Sequence, residues 1–293
     1  MILLKHAYLL MIHKVDNGLK RLLELLDYAE NDIYIHIDSK YLNFEKNELK
    51  KLVKDSRLYF VKRTNVIWGD YSQVNAELVL LREAINNEKY AYYHLLSGED
   101  LPIKSQKYIH HFFSEHSGKE FINFQSEVFT FENRVRYYHL LQKYVGRGGF
   151  TFINFLEKTL LYFQKIIRIN RSKNIFFQKG ANWFSITDNL ARYVVKNEEW
   201  IRKHFKFTNC PDEIFLQTLV INSKFKDNLY HTKFDNSYSA IMRMIDWDRG
   251  RPYTFRISDF ESIIYSDMLF CRKFQSSEDD AIIEKIFEWL QTE

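Results

Sequence analysis

Ala7-Tyr-Leu-Leu-Met-Ile12, then Leu19-Lys-Arg-Leu-Leu-Glu-Leu-Leu26, then Ile33-Tyr-Ile-His-Ile-Asp38: this succession decides the class of fold. The first and third stretches are short, rich in aromatic and branched residues and bounded by polar segments, which is the pattern of buried strands. Between them Leu19, Leu22, Leu23 and Leu26 recur at helical spacing and share one face. The alternation then repeats. Leu58–Val61 and Tyr90–Leu96 are strand-like, and the helical face between them is Val74, Leu78, Leu81 and Ile85. Strands alternating with amphipathic helices imply parallel strands joined by right-handed crossovers, an α/β layout with a mostly parallel, nucleotide-binding sheet flanked by helices.

Ligands of such sheets collect beyond the carboxyl ends of the strands. That singles out His13, Asp38, Trp68 and the turn Ser97–Asp100. The first strand is followed by Met11-Ile12-His13-Lys14, which has no glycine-rich loop and excludes both the dinucleotide and the P-loop patterns.

Working outward, 293 residues could form one large α/β domain or two small ones. Three prolines and nine glycines leave little material for a linker, so a single domain over 1–293 is expected. The 42 basic and 38 acidic residues leave a formal charge of +4. That is too small to demand a nucleic-acid partner, and no basic run is interleaved with aromatics in a nucleic-acid module. Such a balance suits an anionic ligand or lipid surface, or merely a solvated exterior. Cys210 and Cys271 lie far apart, with no metal-binding spacing, and read as free thiols of a reducing compartment. Ala7–Ile12 is too short to span a membrane, so a cytoplasmic location is expected. From about Phe121 the pattern loosens, and Phe150–Ile169 resembles an amphipathic helix. Core or subunit packing is one reading of that stretch, and docking at a membrane interface the other.

Several residues could carry chemistry. Asp212 and Glu213 follow Pro211, which suits a helix start, so the two acids fall in a first helical turn. There they either offset the helix dipole or, held in a cleft, accept a proton from an attacking hydroxyl. Arg272 and Lys273, between Phe270 and Phe274, are either a surface pair or two cations beside a departing anion. Arg249 and Arg251 form a second candidate anion site. Ser97-Gly98-Glu99-Asp100 lacks two aspartates flanking one residue, the arrangement that holds a divalent cation in many donor-binding folds. Asp246-Trp247-Asp248 has that spacing far downstream, and two acids are a weak signal for a hard cation. The ten histidines show no zinc spacing, and His110 and His111 point in different directions on a helix. Trp68 and Trp247 could each stack on a sugar or pack in the core.

Six stretches occur in an order that resembles a known family. They are Ile35–Asp38, Trp68-Gly-Asp-Tyr-Ser72, Leu95-Leu-Ser-Gly-Glu-Asp-Leu-Pro-Ile103, Lys179-Gly-Ala-Asn-Trp-Phe-Ser185, Cys210-Pro-Asp-Glu213 and Phe255–Phe274 with its ending Phe-Cys-Arg-Lys-Phe. Together they look like the core-2/I-branching N-acetylglucosaminyltransferases and peptide xylosyltransferases (glycosyltransferase family 14). The resemblance implies a GT-A-like fold, inversion by direct displacement, and a UDP-sugar donor used without an obligatory metal or other cofactor. It implies a nucleotide-sugar-binding half over 1–120 and an acceptor-binding, catalytic half over 121–293. Glu213 takes the place of the base, and Arg272 and Lys273 that of the diphosphate site, with Arg249 and Arg251 as alternatives. Asp38, Trp68 and Asp100 fall on the donor side. Glu127, Arg134, Arg136, Trp183 and Trp247 fall on the acceptor side. Animal members carry an anchor, a stem and disulfides. This chain resembles the short bacterial members, which implies a surface polysaccharide or lipid-linked saccharide as acceptor, N-acetylglucosamine as the sugar moved, and a place in the cytoplasm or at the inner face of the membrane. The competing readings are a sugar- or nucleotide-binding protein of the same fold without catalysis, and a scaffold of envelope assembly.

Overall fold

The computed structural model of the chain describes residues 4–145, 152–171 and 173–292. The expected alternation is present. Strands β1 (His6–Ile12), β2 (Asn31–Ile37), β3 (Arg57–Phe60) and β4 (Tyr92–Ser97) run parallel in the spatial order β3-β2-β1-β4. Between them lie helices α1 (Asn17–Leu26), α2 (Lys46–Lys51) and α3 (Ser72–Asn87). Helix α1 starts where the Asp16 carboxylate accepts the Leu19 amide at 3.1 Å, an N-cap that satisfies one orphan donor.

The period-two rule explains how the sheet is covered. On β1, Ala7 and Leu9 enter one core, whereas Tyr8, Leu10 and Ile12 enter the other. On β4, Tyr93 and Leu95 face the first, and Tyr92 and Leu96 the second. Helix α3 covers the first face with Val74, Leu78 and Leu81, with Ile85 packed at its edge. Helix α1 covers the second with Leu19, Leu22, Leu23 and Leu26. Each such leucine contributes about 1.5–3 kcal/mol on burial, so the two helices fix the sheet between them. Both faces being covered is why these strands read as continuous apolar runs rather than as alternations.

Beyond Phe121 the architecture changes. Helix α4 (Gln106–Glu115) follows β5 (Asp100–Pro102), burying His110 and exposing His111. Two short strands, β6 (Phe121–Ile122) and β7 (Phe184–Thr187), extend the sheet antiparallel beside β4, in the order β4-β7-β6. The sheet is thus mixed, and it draws strands from both sides of residue 120. Helices α5 (Glu132–Arg136), α6 (Gln142–Val145), α7 (Phe152–Ile166), α8 (Asp188–Lys196), α9 (Glu198–Phe205) and α10 (Phe215–Ile221) surround that end. The amphipathic stretch is indeed helical over 152–166, while Phe150 and Thr151 lie outside the described residues.

A second sheet, in the order β5-β9-β8, joins β5 to β9 (Phe270–Arg272) and β8 (Arg243–Ile245). Its register sets Arg272 opposite Asp100. Helices α11 (Phe260–Ile264) and α12 (Asp280–Leu290) close the chain, and Glu284 of α12 pairs with Arg21 of α1 at 2.8 Å. Both cysteines are buried and free. Among the described residues no helix is long and apolar enough to cross a membrane.

Candidate active site

Glu213 ends a one-turn 3-10 helix, Pro211–Glu213, and not the first turn of α10 as the sequence suggests. Ile214, at φ −129°, leaves the helical region and separates the two. Cys210 enters the turn in the left-handed region at φ 46°, and its amide donates to the carbonyl of Gly69 at 2.9 Å. Gly69 itself sits at φ +72°, where a side chain would be strained. The Trp68–Ser72 and Cys210–Glu213 stretches are therefore one unit, and Gln73 strengthens it by donating to Asp212 at 2.9 Å.

Among the described residues the Glu213 side chain caps no backbone amide. Its Oε2 receives Arg134 at 2.9 Å and stands 3.2 Å from the Lys179 ammonium. No hydrogen bond among the described residues engages Oε1, and the side chain is 35% exposed, enough to meet a ligand. Lys179 also donates to Gln125 at 2.8 Å and lies over the Phe131 ring, as does Arg134. Gly180 lets that segment close on the acid. Its amide donates to the Glu213 carbonyl at 2.9 Å, and a Cβ here would come within 1.8 Å of the Asn123 carbonyl oxygen.

A second cluster forms where β4 meets the small sheet. Asp100 is fully buried. It accepts the Ser97 amide at 2.7 Å and lies 3.3 Å from Arg243 and 3.7 Å from Arg272. Arg243, wholly buried, also donates to the Leu95 carbonyl at 3.1 Å. Burial lowers its guanidinium to about 10, and Asp100 works against that shift. Both arginines stack on Trp183, at 5.1 Å for Arg243 and 4.2 Å for Arg272. Arg272 Nη1 is buried without a hydrogen-bond acceptor, so the pair with Asp100 leaves a donor unspent. Lys273 faces Glu99 at 3.4 Å, and Glu99 also accepts Gln275 at 2.8 Å. Lys14 divides itself between Asp16 and Glu99. Burial lowers His13, which lies 3.7 Å from Glu99. Among the described residues Arg243, Arg272, Lys273 and Lys14 meet the acids Asp100, Glu99 and Asp16, an excess of positive charge suited to a polyanion.

Tyr238 opens the 3-10 turn Tyr238–Ile241. Burial raises its hydroxyl above the usual range, the hydrogen bond with Trp247 opposes that, Glu213 raises it further and Arg272 lowers it. Its ring is 6.5 Å from that of Trp247. Trp247 is half exposed.

The other residues singled out by sequence fall in three places. Asp38 follows β2 at the carboxyl end of the sheet, its amide donating to the Ile12 carbonyl at 2.8 Å and its carboxylate accepting Lys40 N at 2.9 Å. Trp68 is 45% exposed beside the Cys210 turn. Asp100, expected on the donor side, reaches no solvent and acts by holding arginines. Trp183, expected on the acceptor side, lies under the Arg243 and Arg272 guanidiniums. Arg249 is taken up internally: it pairs with Asp259 at 2.7 Å and Asp246 at 2.5 Å, over the Tyr253 ring. Those contacts also bind Asp246 to its own loop, while Arg251 stays on the surface. Glu127 and Arg136 line a separate groove of about 510 Å³ with Phe129, Glu132, Phe176 and Gln178. Only Arg134 of that segment meets Glu213. Among the described residues no three His, Cys, Asp or Glu side chains converge as a metal site. Sequence reasoning missed Lys179, Tyr238 and Arg243; Lys179 alone carried a signal, as the first residue of a recognised stretch.

Residues 6–268 match the family model of the core-2/I-branching enzymes. The chain is 25% identical over 307 residues to the xylosyltransferase sqv-6 of Caenorhabditis briggsae, covering 96% of this chain and 36% of that one. It is 24% identical over 305 residues to xylosyltransferase 2 of Rattus norvegicus, covering 96% and 33%. The chain thus spans about a third of the length of the curated relatives it matches.

The buried acids beneath Glu213 make stability pH-dependent. Burial, then the Glu213 charge, raises Asp212 to about 7, and burial, then the Asp212 charge, raises Glu77 well above the carboxylate range. Among the described residues neither Glu77 oxygen nor Asp212 Oδ1 has a hydrogen-bond partner that would stabilise a buried charge. Below the unfolded carboxylate range both states hold the proton and there is no penalty. As pH rises toward 7 the unfolded state releases it first, so stability falls across that window. Asp212→Asn cannot ionise and should be more stable than the wild type at pH 8, by on the order of 1–4 kcal/mol, with little difference near pH 4. Denaturant titrations at several pH values read this directly. An unchanged pH slope in the variant would show that Asp212 ionises freely in the fold.

Proposed function

The chain belongs to the core-2/I-branching enzyme family, and on that premise we propose that its site moves a sugar, with inversion, from a UDP-sugar to a hydroxyl of a glycan or lipid-linked saccharide. The observation that supports this reading is Glu213, held by Arg134 and Lys179 with its second carboxylate oxygen unengaged among the described residues, in a chain that also sets the Arg272–Lys273 cations beside Asp100 and Glu99. A base on one side and an anion site on the other are the two requirements of a direct displacement.

In that reaction the acceptor hydroxyl oxygen attacks the anomeric carbon from the face opposite the diphosphate. Its proton passes to Glu213, and the bond from the anomeric carbon to the diphosphate oxygen breaks with its electron pair. UDP then carries the released negative charge. Arg134 and Lys179 hold the Glu213 carboxylate in place, so its orientation needs no reorganisation during attack. Arg272 and Lys273 take the charge that develops on UDP, Arg272 with a donor already desolvated and unspent. Asp38 and Trp68 are assigned to the nucleoside side, Trp247 to the acceptor. The two arginine cations and Lys273 do the work that a divalent ion does elsewhere, and the reading therefore requires no metal. The resemblance of the sequence favours N-acetylglucosamine as the sugar moved, and the names of the relatives favour xylose. UDP release measured over both donors, with and without acceptor, separates them and would expose a binding protein without turnover.

Glu213→Gln should reduce transfer by about 10²–10⁴-fold with UDP affinity retained, since removal of a general base has that range. Steady-state rates beside calorimetric UDP titration test this, and a variant keeping a third of wild-type turnover would remove Glu213 from the role.

Transfer should persist in excess chelator, because the diphosphate is neutralised by side chains. Loss on chelation with recovery on adding manganese or magnesium would refute a metal-free site.

Lys273→Ala should lower turnover more than UDP affinity, each by about tenfold or more, since a charge-assisted hydrogen bond contributes about 1.5–3 kcal/mol and the charge grows toward the transition state. Unchanged rate and affinity would place the diphosphate elsewhere.

A further inference from the structure

Helix α7 is amphipathic in the inverted sense. Its buried residues are the polar Glu157 and Gln164. Gln164 accepts the Tyr138 amide at 2.7 Å and donates to the Tyr138 carbonyl at 2.9 Å. Glu157 accepts the Leu141 amide at 3.0 Å and lies 3.3 Å from His139. The side turned to solvent is apolar: Phe152, Phe155, Tyr162, Phe163, Ile166 and the following Ile167 are each 53% to 71% exposed. Spacings of three, four, seven and eleven put them on one face. A helix placed by water alone would show the opposite arrangement. A contiguous apolar face of this size on an otherwise polar surface marks an interaction site.

The charges say what covers it. Over residues 152–171 the only acid is Glu157, which is buried, whereas Lys158, Lys165 and Arg168 are exposed along the helix flank. A cationic margin around bulky aromatic and branched residues complements a surface that is oily within and negative at its rim. We propose that α7 lies flat on an anionic lipid bilayer, with its phenylalanines and isoleucines in the acyl boundary and its lysines at the headgroups. The helix is far too short and too flanked by charge to cross, and none of the described helices could. This rests on α7 alone and not on the transfer reaction. It would bring the 510 Å³ groove, which shares Phe176 and Asn170 with the segment after α7, near the membrane surface.

The experiment is flotation of the full chain with vesicles of phosphatidylcholine alone, or of phosphatidylcholine mixed with phosphatidylglycerol. Binding to the mixed vesicles should be about tenfold or more stronger, since each basic residue near an anionic surface adds about a factor of five. Phe155→Ser with Phe163→Ser, and separately Lys158→Glu with Lys165→Glu, should each weaken flotation by about tenfold or more. Both pairs are exposed, and neither touches Glu213 or the cation cluster, so UDP release with a soluble acceptor and the thermal midpoint should not change. Three results would overturn the proposal: no flotation with either vesicle, equal flotation on both, or binding unaffected by the variants. So would a dimer in sedimentation that Phe155→Ser with Phe163→Ser dissociates while vesicles stay unbound, for the face would then belong to a second copy of the chain.

Discussion

The buried carboxylate of Asp100 is the constraint on which the site depends. It lies just past the end of β4, three residues beyond Ser97, and opposite Arg272 across the β5–β9 pair. Through Ser97 N it closes the turn after the central sheet, and through Arg243 and Arg272 it ties the small sheet to the large one. Such a charge is costly to bury and becomes tolerable only when its oxygens are engaged, so removing either partner leaves an uncompensated ion. The two sheets are therefore coupled electrostatically at the point where the strands of the larger one end. That is where a parallel sheet collects ligands. The fold does not merely carry the cations there; its own solvation requirement holds them there.

The same arrangement explains why the cations stay available. Asp100 lies 3.7 Å from Arg272, beyond hydrogen-bond distance, and Trp183 supports the guanidinium from its face. A planar cation supported by stacking keeps its edge donors for another partner, which a lysine in that place could not do. Lys273, in contrast, is a point charge resting on Glu99, which Lys14 and His13 also approach. An incoming polyanion can draw Lys273 away without leaving Glu99 bare. One cation is preorganised by packing, and the other is exchangeable.

What the sequence disclosed follows from where local pattern equals global role. β1, β2 and β4 are buried on both faces, so their apolar runs are continuous, and the helices between them show single stripes. β6, β8 and β9 have two or three residues each, too few for any period, and they exist because register with β5 and β7 creates them. The site divides in the same way. Pro211 and the two acids after it announce a helical turn, and the chain makes one, though Ile214 ends it before α10. The pairing of Arg249 with Asp246 and Asp259 is not visible in the sequence, because Asp259 becomes its neighbour only when the loop folds back. Arg243 was passed over because nothing local distinguishes an arginine that will be wholly buried. Tyr238 stands among other aromatics in a chain with 19 tyrosines. Its meaning is purely spatial.

The features that oppose stability are not scattered. Cys210 holds a left-handed conformation that costs a residue with a side chain about 1–2 kcal/mol. Beneath it Glu77 and Asp212 are buried with unpaired oxygens, and Glu213 stands above with two cations on one oxygen. All lie around a turn of three residues. A chain selected for stability alone would relax them, since each is a local conflict that an ordinary substitution removes. Their coincidence around the half-exposed Glu213 is what gives the turn its functional weight. Cys210 leads the chain into the turn, and Arg134 and Lys179 close on the Glu213 carboxylate from outside it. The apolar outer face of α7 is a conflict of the same kind, left unresolved by the chain's own packing. Local rules are broken at the turn and along that face, and in both places the surrounding contacts are specific enough to hold the exception.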